Sequence, residues 1–384
     1  MSGTNFARSS LSTLAEIEDA IRAYESPGQP ALAIAKDAIK QFSGAMHDTS
    51  RLQAIATWAR NAKDPYLSFH SANKMVSVLD DLCSVAAGLV AMRLSQGVRV
   101  GGDTVLRRDA LDGATQLLSL LDRGDFTRGG ILGRTLSLPC ISGTPYEFLG
   151  PLFEFKSPRG VKRDVDLARL MQKLFKDVAT SDSLRIPSSF ATSCGVFASE
   201  LFTNTQEHAI RDHLGHAYDA HVEGIILSWA QMFDRVYAHD FGGHQRLRDF
   251  WQRESVDLQA KTERGLRCFQ LSFFDTGPGF ASRATGMETT ALGLQEERDA
   301  LIRCLQKSVT TKSGSGVGHG LPGVLEELRK VGGLMRIRSG RHCIFNCFEP
   351  NDGADLFDFH DWTAEPLGAA VGAVISILVP IRRS

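Results

Sequence analysis

The chain has 384 residues, 43% of them apolar, and a formal net charge of −1 with a pI near 6.8. That length allows two or three domains with ordinary cores, and the near-neutral balance argues against a dedicated polyanion binder, so nucleic acid is not indicated as a partner. No charged segment followed by an apolar core opens the chain. The longest apolar run, Leu367 to Ile381, is too short for a spanning helix and reads as a buried strand, so no membrane segment is expected. The seven cysteines are scattered and odd in number, which suits reduced thiols in a cytoplasmic protein.

The start is rich in Ser and Thr and then weakly helical. Ala31 to Phe42 and Thr49 to Ala62 carry helical apolar spacing, and Pro65 to His70 reads as a short strand. Lys74 to Leu94 is a long helical pattern ending near Gly97. Asp109 to Leu121 is helical again, and Leu136 to Cys140 is a brief strand. This alternation suggests a small α/β unit. Ser157-Pro-Arg-Gly-Val-Lys-Arg163 is polar and punctuated by Pro and Gly, as a linker would be.

Beyond it, Asp164 to Val178 is amphipathic, and Ser188-Ser189 is placed to cap a helix running from Phe190 through His208. Gly224 to Ala230 and Leu266 to Phe274 read as strands, separated by a polar insertion from Asp234 to Arg264. Gly333 to Ser339, His342 to Phe348 and Val371 to Pro380 are further strands.

Three short motifs lie on this framework. In Glu200-Leu-Phe-Thr-Asn204 the acid and the amide are four apart, on one helical face. An amide oxygen suits Mg²⁺, and a carboxylate one turn earlier suits orienting or deprotonating a water; the plain alternative is a solvated helix face. Asp275-Thr-Gly277-Pro-Gly279 follows a strand. A buried carboxylate there would accept the exocyclic amine of adenine, which guanine replaces with a carbonyl; the plain alternative is an aspartate bonded to its own turn. Gly314-Ser-Gly316-Val-Gly318-His319-Gly320-Leu321 opens a helix whose free N–H groups and dipole favour phosphate. Its spacing excludes a P-loop.

In this order the motifs resemble the GHKL nucleotide-binding fold, shared by DNA gyrase, heat-shock chaperones of the ninety-kilodalton class, sensor histidine kinases and MutL proteins. The resemblance covers roughly residues 160–384. It implies an α+β chain: a GHKL-type α/β sandwich at 156–384, one mixed sheet with helices on one face, preceded by a smaller α/β domain at 1–155. It implies ATP and Mg²⁺ as cofactors, with Asn204 on the metal and Glu200 as general base. His208 would lie near the phosphates, Asp275, Gly277 and Gly279 around the base, and Thr311, Lys312, Gly314, Gly316, Gly318, His319, Gly320 and Leu321 around the phosphates. Residues 281–313 would be a lid carrying a helix from Leu292 to Val309. One departure is visible: Gly372-Ala373 stands where many members have a Gly-Thr pair.

The function implied is a Mg-dependent ATPase acting as a nucleotide-operated switch, with ATP and ADP as ligands and output through a protein partner or a homodimer formed by the N-terminal domain. The alternatives are a kinase transferring the γ-phosphate to a partner protein, and a nucleotide sensor without turnover. His70 is followed by Ser-Ala-Asn, so it lacks the acid of a phosphoacceptor histidine. A zinc site from His208, His213, His216 and His221 fits no standard spacing.

Overall fold

The first third of the chain alternates helices with short strands. In order these are α1 (Leu14–Tyr24), β1 (Leu32–Ala33), α2 (Ala45–Asn61), β2 (Tyr66–Phe69), α3 (Met75–Cys83), α4 (Ala86–Leu94), β3 (Gly97–Val100), β4 (Asp103–Leu106), α5 (Arg107–Leu111) and α6 (Thr115–Asp122). The computed structural model describes residues 11–34, 42–128, 130–155, 160–258, 263–310 and 320–382, side chains of 307–310 apart. β1, β2 and β3 pair in parallel, and β4 closes antiparallel on β3. The helical spacing from Ala31 is overridden by pairing, since Leu32 and Ala33 lie against Leu67 and Ser68; residues 35–41 lie outside the described residues. The single helix expected from Lys74 to Leu94 is two helices bent by 112°. Val85 between them is extended (φ −136°, ψ 144°) and buries its side chain, which a continuous helix would not allow.

The remaining strands form one large sheet: β5 (Ile131–Leu132), β6 (Thr135–Ile141), β7 (Val222–Phe233), β8 (Val256–Asp257), β9 (Arg264–Asp275), β10 (Leu334–Gly340), β11 (His342–Cys347), β12 (His360–Asp361) and β13 (Ala370–Pro380). Their order is β12-β11-β10-β13-β9-β7-β6-β5, with β8 also on β9. The helices between them are α7 (Asp164–Val178), α8 (Thr180–Ser183), α9 (Ser188–Asn204), α10 (Asp234–Tyr237), α11 (Gln245–Glu254), α12 (Phe280–Thr285), α13 (Leu294–Thr310) and α14 (Gly320–Val331). The chain is therefore α+β.

Two expectations are corrected. The large sheet is antiparallel at every pairing among the described residues, not mixed. Both its faces are covered, not one. α7, α9 and α14 pack over Phe269, Phe273 and Ile375, while α1, α2 and α4 share a core with Phe274, Val374 and Leu378 on the other face. The sequence carries the reason: β9 and β13 are buried at almost every position, so neither face can meet water.

The expected boundary at 155 does not coincide with a break in the sheet. β6 pairs with β7 along its whole length, from Thr135 opposite Ser228 to Ile141 opposite Val222. α2 is also tied to the sheet by polar contacts: Ala45 N–H donates to Ser228 Oγ at 2.8 Å and Met46 N–H to Gln270 Oε1 at 3.0 Å. From α1, Glu18 pairs with Arg338 (2.9 Å) and Arg336 (3.3 Å), both fully buried on β10. The seven cysteines are free thiols. Among the described residues no single helix is long and apolar enough to cross a membrane.

Candidate functional site

Helix α9 forms because Phe190, Cys194, Phe197, Ala198 and Leu201 recur at helical spacing and face the sheet, with Phe197 edge-on to Phe273 at 5.5 Å. Its N-cap is Pro187, not a serine. Ser189 Oγ instead donates to Glu327 Oε2 of α14 at 2.6 Å, bracing the two helices. After Asn204 the backbone widens into a π-turn over Thr205–Ala209. Such turns shift the side-chain phase and recur at functional sites. Here the turn aims Asn204 and Thr205 into a cavity and puts Gln206 beside the sheet.

The floor of that cavity is the end of the sheet. Ala373, Asp275, Glu223 and Cys140 lie directly opposite one another on four neighbouring strands, so their side chains form one row on the α9 face. Asp275 Oδ1 accepts the N–H of Gly277 at 2.9 Å, the self-bonded turn that the sequence left open. Gly372 (φ 74°) is required beneath it, because a Cβ there would overlap the Asp275 carbonyl oxygen. Gly279 (φ 84°) begins α12, where a Cβ would lie 2.7 Å from Ser339 Oγ. The cavity is open to solvent on one side, and its polar lining is Asn204, Thr205, Glu223, Asp275 and Arg283.

Electrostatics separates the two carboxyls. Burial pushes Asp275 up, but the Arg283 guanidinium and the N–H groups of Gly277 and Ala373 pull against it. Burial pushes Glu223 up to about 8, only partly opposed by Gln206 and reinforced by the charges of Asp275 and Glu147. Glu223 is 2% exposed. Gln206 Nε2 donates to its Oε1, while its Oε2 has no hydrogen-bond partner among the described residues.

Glu200 lies one turn back from Asn204 and faces α14. Its Oε1 accepts the Gly320 N–H at 3.1 Å, at the N-terminus of that helix, with Leu321 buried beside it. A carboxylate is stabilised at such a terminus as a phosphate oxygen would be. Thr311, Lys312, Gly314, Gly316, Gly318 and His319 lie outside the described residues. His208 is exposed and points to Glu207 at 3.6 Å, and it does not line the cavity. The expected lid helix is α13, a little displaced at Leu294–Thr310. Glu297 in its first turn accepts from both the backbone N–H and the Nε–H of Arg341, each at 2.7 Å, which pins the segment to the β10–β11 hairpin. The hydroxyl lacking at Ala373 is not replaced by Ser376, which is buried and bonded to Ser272 at 2.8 Å. Among the described residues no three His, Cys, Asp or Glu side chains form a metal cluster, and His213, His216 and His221 make no such group.

Glu223 and Arg283 were not singled out in the sequence. The signal for Glu223 was present: an acid just before Gly224-Ile-Ile-Leu, in a strand otherwise closed to water. The apolar run itself begins only at Gly224, so the acid stands just outside it. Comparison with protein-family models, with curated proteins and with solved structures finds no match.

Proposed function

We propose that the cavity binds the base of an adenine nucleotide and that the protein uses ATP with Mg²⁺ as a nucleotide-operated switch. The observation that carries this reading is the meeting of two distant motifs: Asn204, from the end of α9, and Asp275, from the end of β9, line the same cavity. The Asp275 carboxyl lines the cavity, where it can accept an amine donor, and apolar Phe274, Phe280 and Ile375 supply walls for a ring. The Asn204 amide supplies one hard oxygen, enough for Mg²⁺ that is otherwise held by phosphate and water. The start of α14 supplies the phosphate side, with Glu200 against it. The overall GHKL-type reading of residues 156–384 rests on these motifs and their order.

The test is calorimetry with ATP and GTP. ATP should bind with GTP at least about tenfold weaker, since a carbonyl facing Asp275 leaves a buried group unpaired. Asp275→Asn should lose most ATP binding while unfolding at a temperature close to wild type. Equal affinities for ATP and GTP would remove Asp275 from this role.

A further inference from the structure

We propose that Glu223 is a second base-reading residue of this cavity, its carboxyl O–H donating to the ring nitrogen next to the amine that Asp275 accepts. This rests on the adenine-nucleotide reading and adds to it the group that reads N1. Glu223 stands directly opposite Asp275 on the neighbouring strand and on the same face, close enough for two carboxyls to meet adjacent atoms of one base edge. Gln206 donates to Oε1, which marks that atom as the acceptor oxygen and leaves any proton on Oε2. Oε2 is buried without a partner among the described residues, on a side chain lining the cavity. Buried polar atoms are rarely left so, and a ring nitrogen with a lone pair completes it.

The surroundings assign the two roles. Burial is the largest influence on Asp275 and leaves it raised, but a guanidinium and two N–H groups beside it favour its anion, and nothing comparable stands beside Glu223. Glu223 faces Gln206 from the π-turn, Asp275 from β9, Cys140 from β6 and Glu147 from the loop after β6. None of these is a cation, and the two acids oppose its ionisation. A carboxyl kept neutral in this way is a hydrogen-bond donor. The pair then offers an acceptor beside a donor, which matches the amine and N1 of adenine.

The experiment compares MgATP with its 1-deaza analogue, in which N1 is a C–H, on the full chain by calorimetry. Wild type should bind the analogue at least about tenfold more weakly. Above a pH near 8 ATP affinity should fall, approaching tenfold per pH unit, as Glu223 loses the proton that binding needs. Glu223→Gln keeps an N–H donor without titrating and should bind ATP with no such fall, while still preferring ATP to the analogue. Glu223→Leu should lose the preference. ATP binding that is tight in wild type but indifferent to both N1 and pH overturns the role of Glu223 and leaves the nucleotide reading standing. No ATP binding at any pH overturns both.

Discussion

Glu200 illustrates how one side chain can hold a structural and a chemical role that must be tested apart. Its carboxylate caps the first N–H of α14, so truncating it leaves that donor unpaired, at a cost of roughly 0.5–2 kcal/mol. Glu200→Ala would therefore mix a folding effect with a catalytic one. Glu200→Gln retains the acceptor oxygen and loses the negative charge and the ability to take a proton. If Glu200 activates water, the Gln variant should unfold within about 1 kcal/mol of wild type and bind ATP within a few-fold. Its turnover should nonetheless fall at least about a hundredfold. An absence of turnover in wild type would favour the sensor alternative, and transfer of labelled phosphate to a protein would favour the kinase.

At the scale of elements, α1 is joined to the large sheet by a shared apolar core and by one buried charge cluster. Burial by itself would raise the Glu18 carboxyl, but Arg338 and Arg336 outweigh it and hold it below the usual range. Glu18→Ala would leave two buried guanidiniums uncompensated, and breaking such a pair typically costs about 3–5 kcal/mol. Denaturant unfolding of that variant should show a loss of this size. The lowered carboxyl contributes stability at neutral pH that disappears as pH falls through its folded-state value, so the wild-type advantage should shrink in acid.

The elements also show what was legible in the sequence. α7 was readable because its apolar residues repeat with strict helical period, and β7, β9 and β13 because their apolar runs end at turn residues. Asn204 and Asp275 were legible through motif spacing. The break at Val85 and the pairing of β1 depend on distant partners, which local pattern does not carry. Glu223 was missed because its meaning lies across the sheet, in its register with Asp275.

For the molecule as a whole, the antiparallel sheet covered on both faces changes what the N-terminal third does. It is tied into that sheet: α2 lays Met46, Leu52 and Ala56 into the core that contains Val374 and Leu378, and β6, which follows it in the chain, supplies the strand beside β7. Arg60, near the end of α2, donates to the carbonyls of Ala220 (2.7 Å) and Thr276 (3.2 Å), the two chain segments that carry Glu223 and Asp275 into the cavity. Any change in how α2 sits would therefore reach the site directly, which gives the proposed switch a physical route. The same contacts make a prediction about division of the chain. A fragment of residues 156–384 would expose the β7 edge and the apolar face under α2, and exposed edges and large apolar patches drive association. Expressed alone, it should aggregate or show no cooperative unfolding transition, whereas the full chain should unfold cooperatively. A soluble fragment with a sharp transition and full-chain affinity for ATP would show that the sheet closes without β6 and α2, and that the N-terminal third is separable after all.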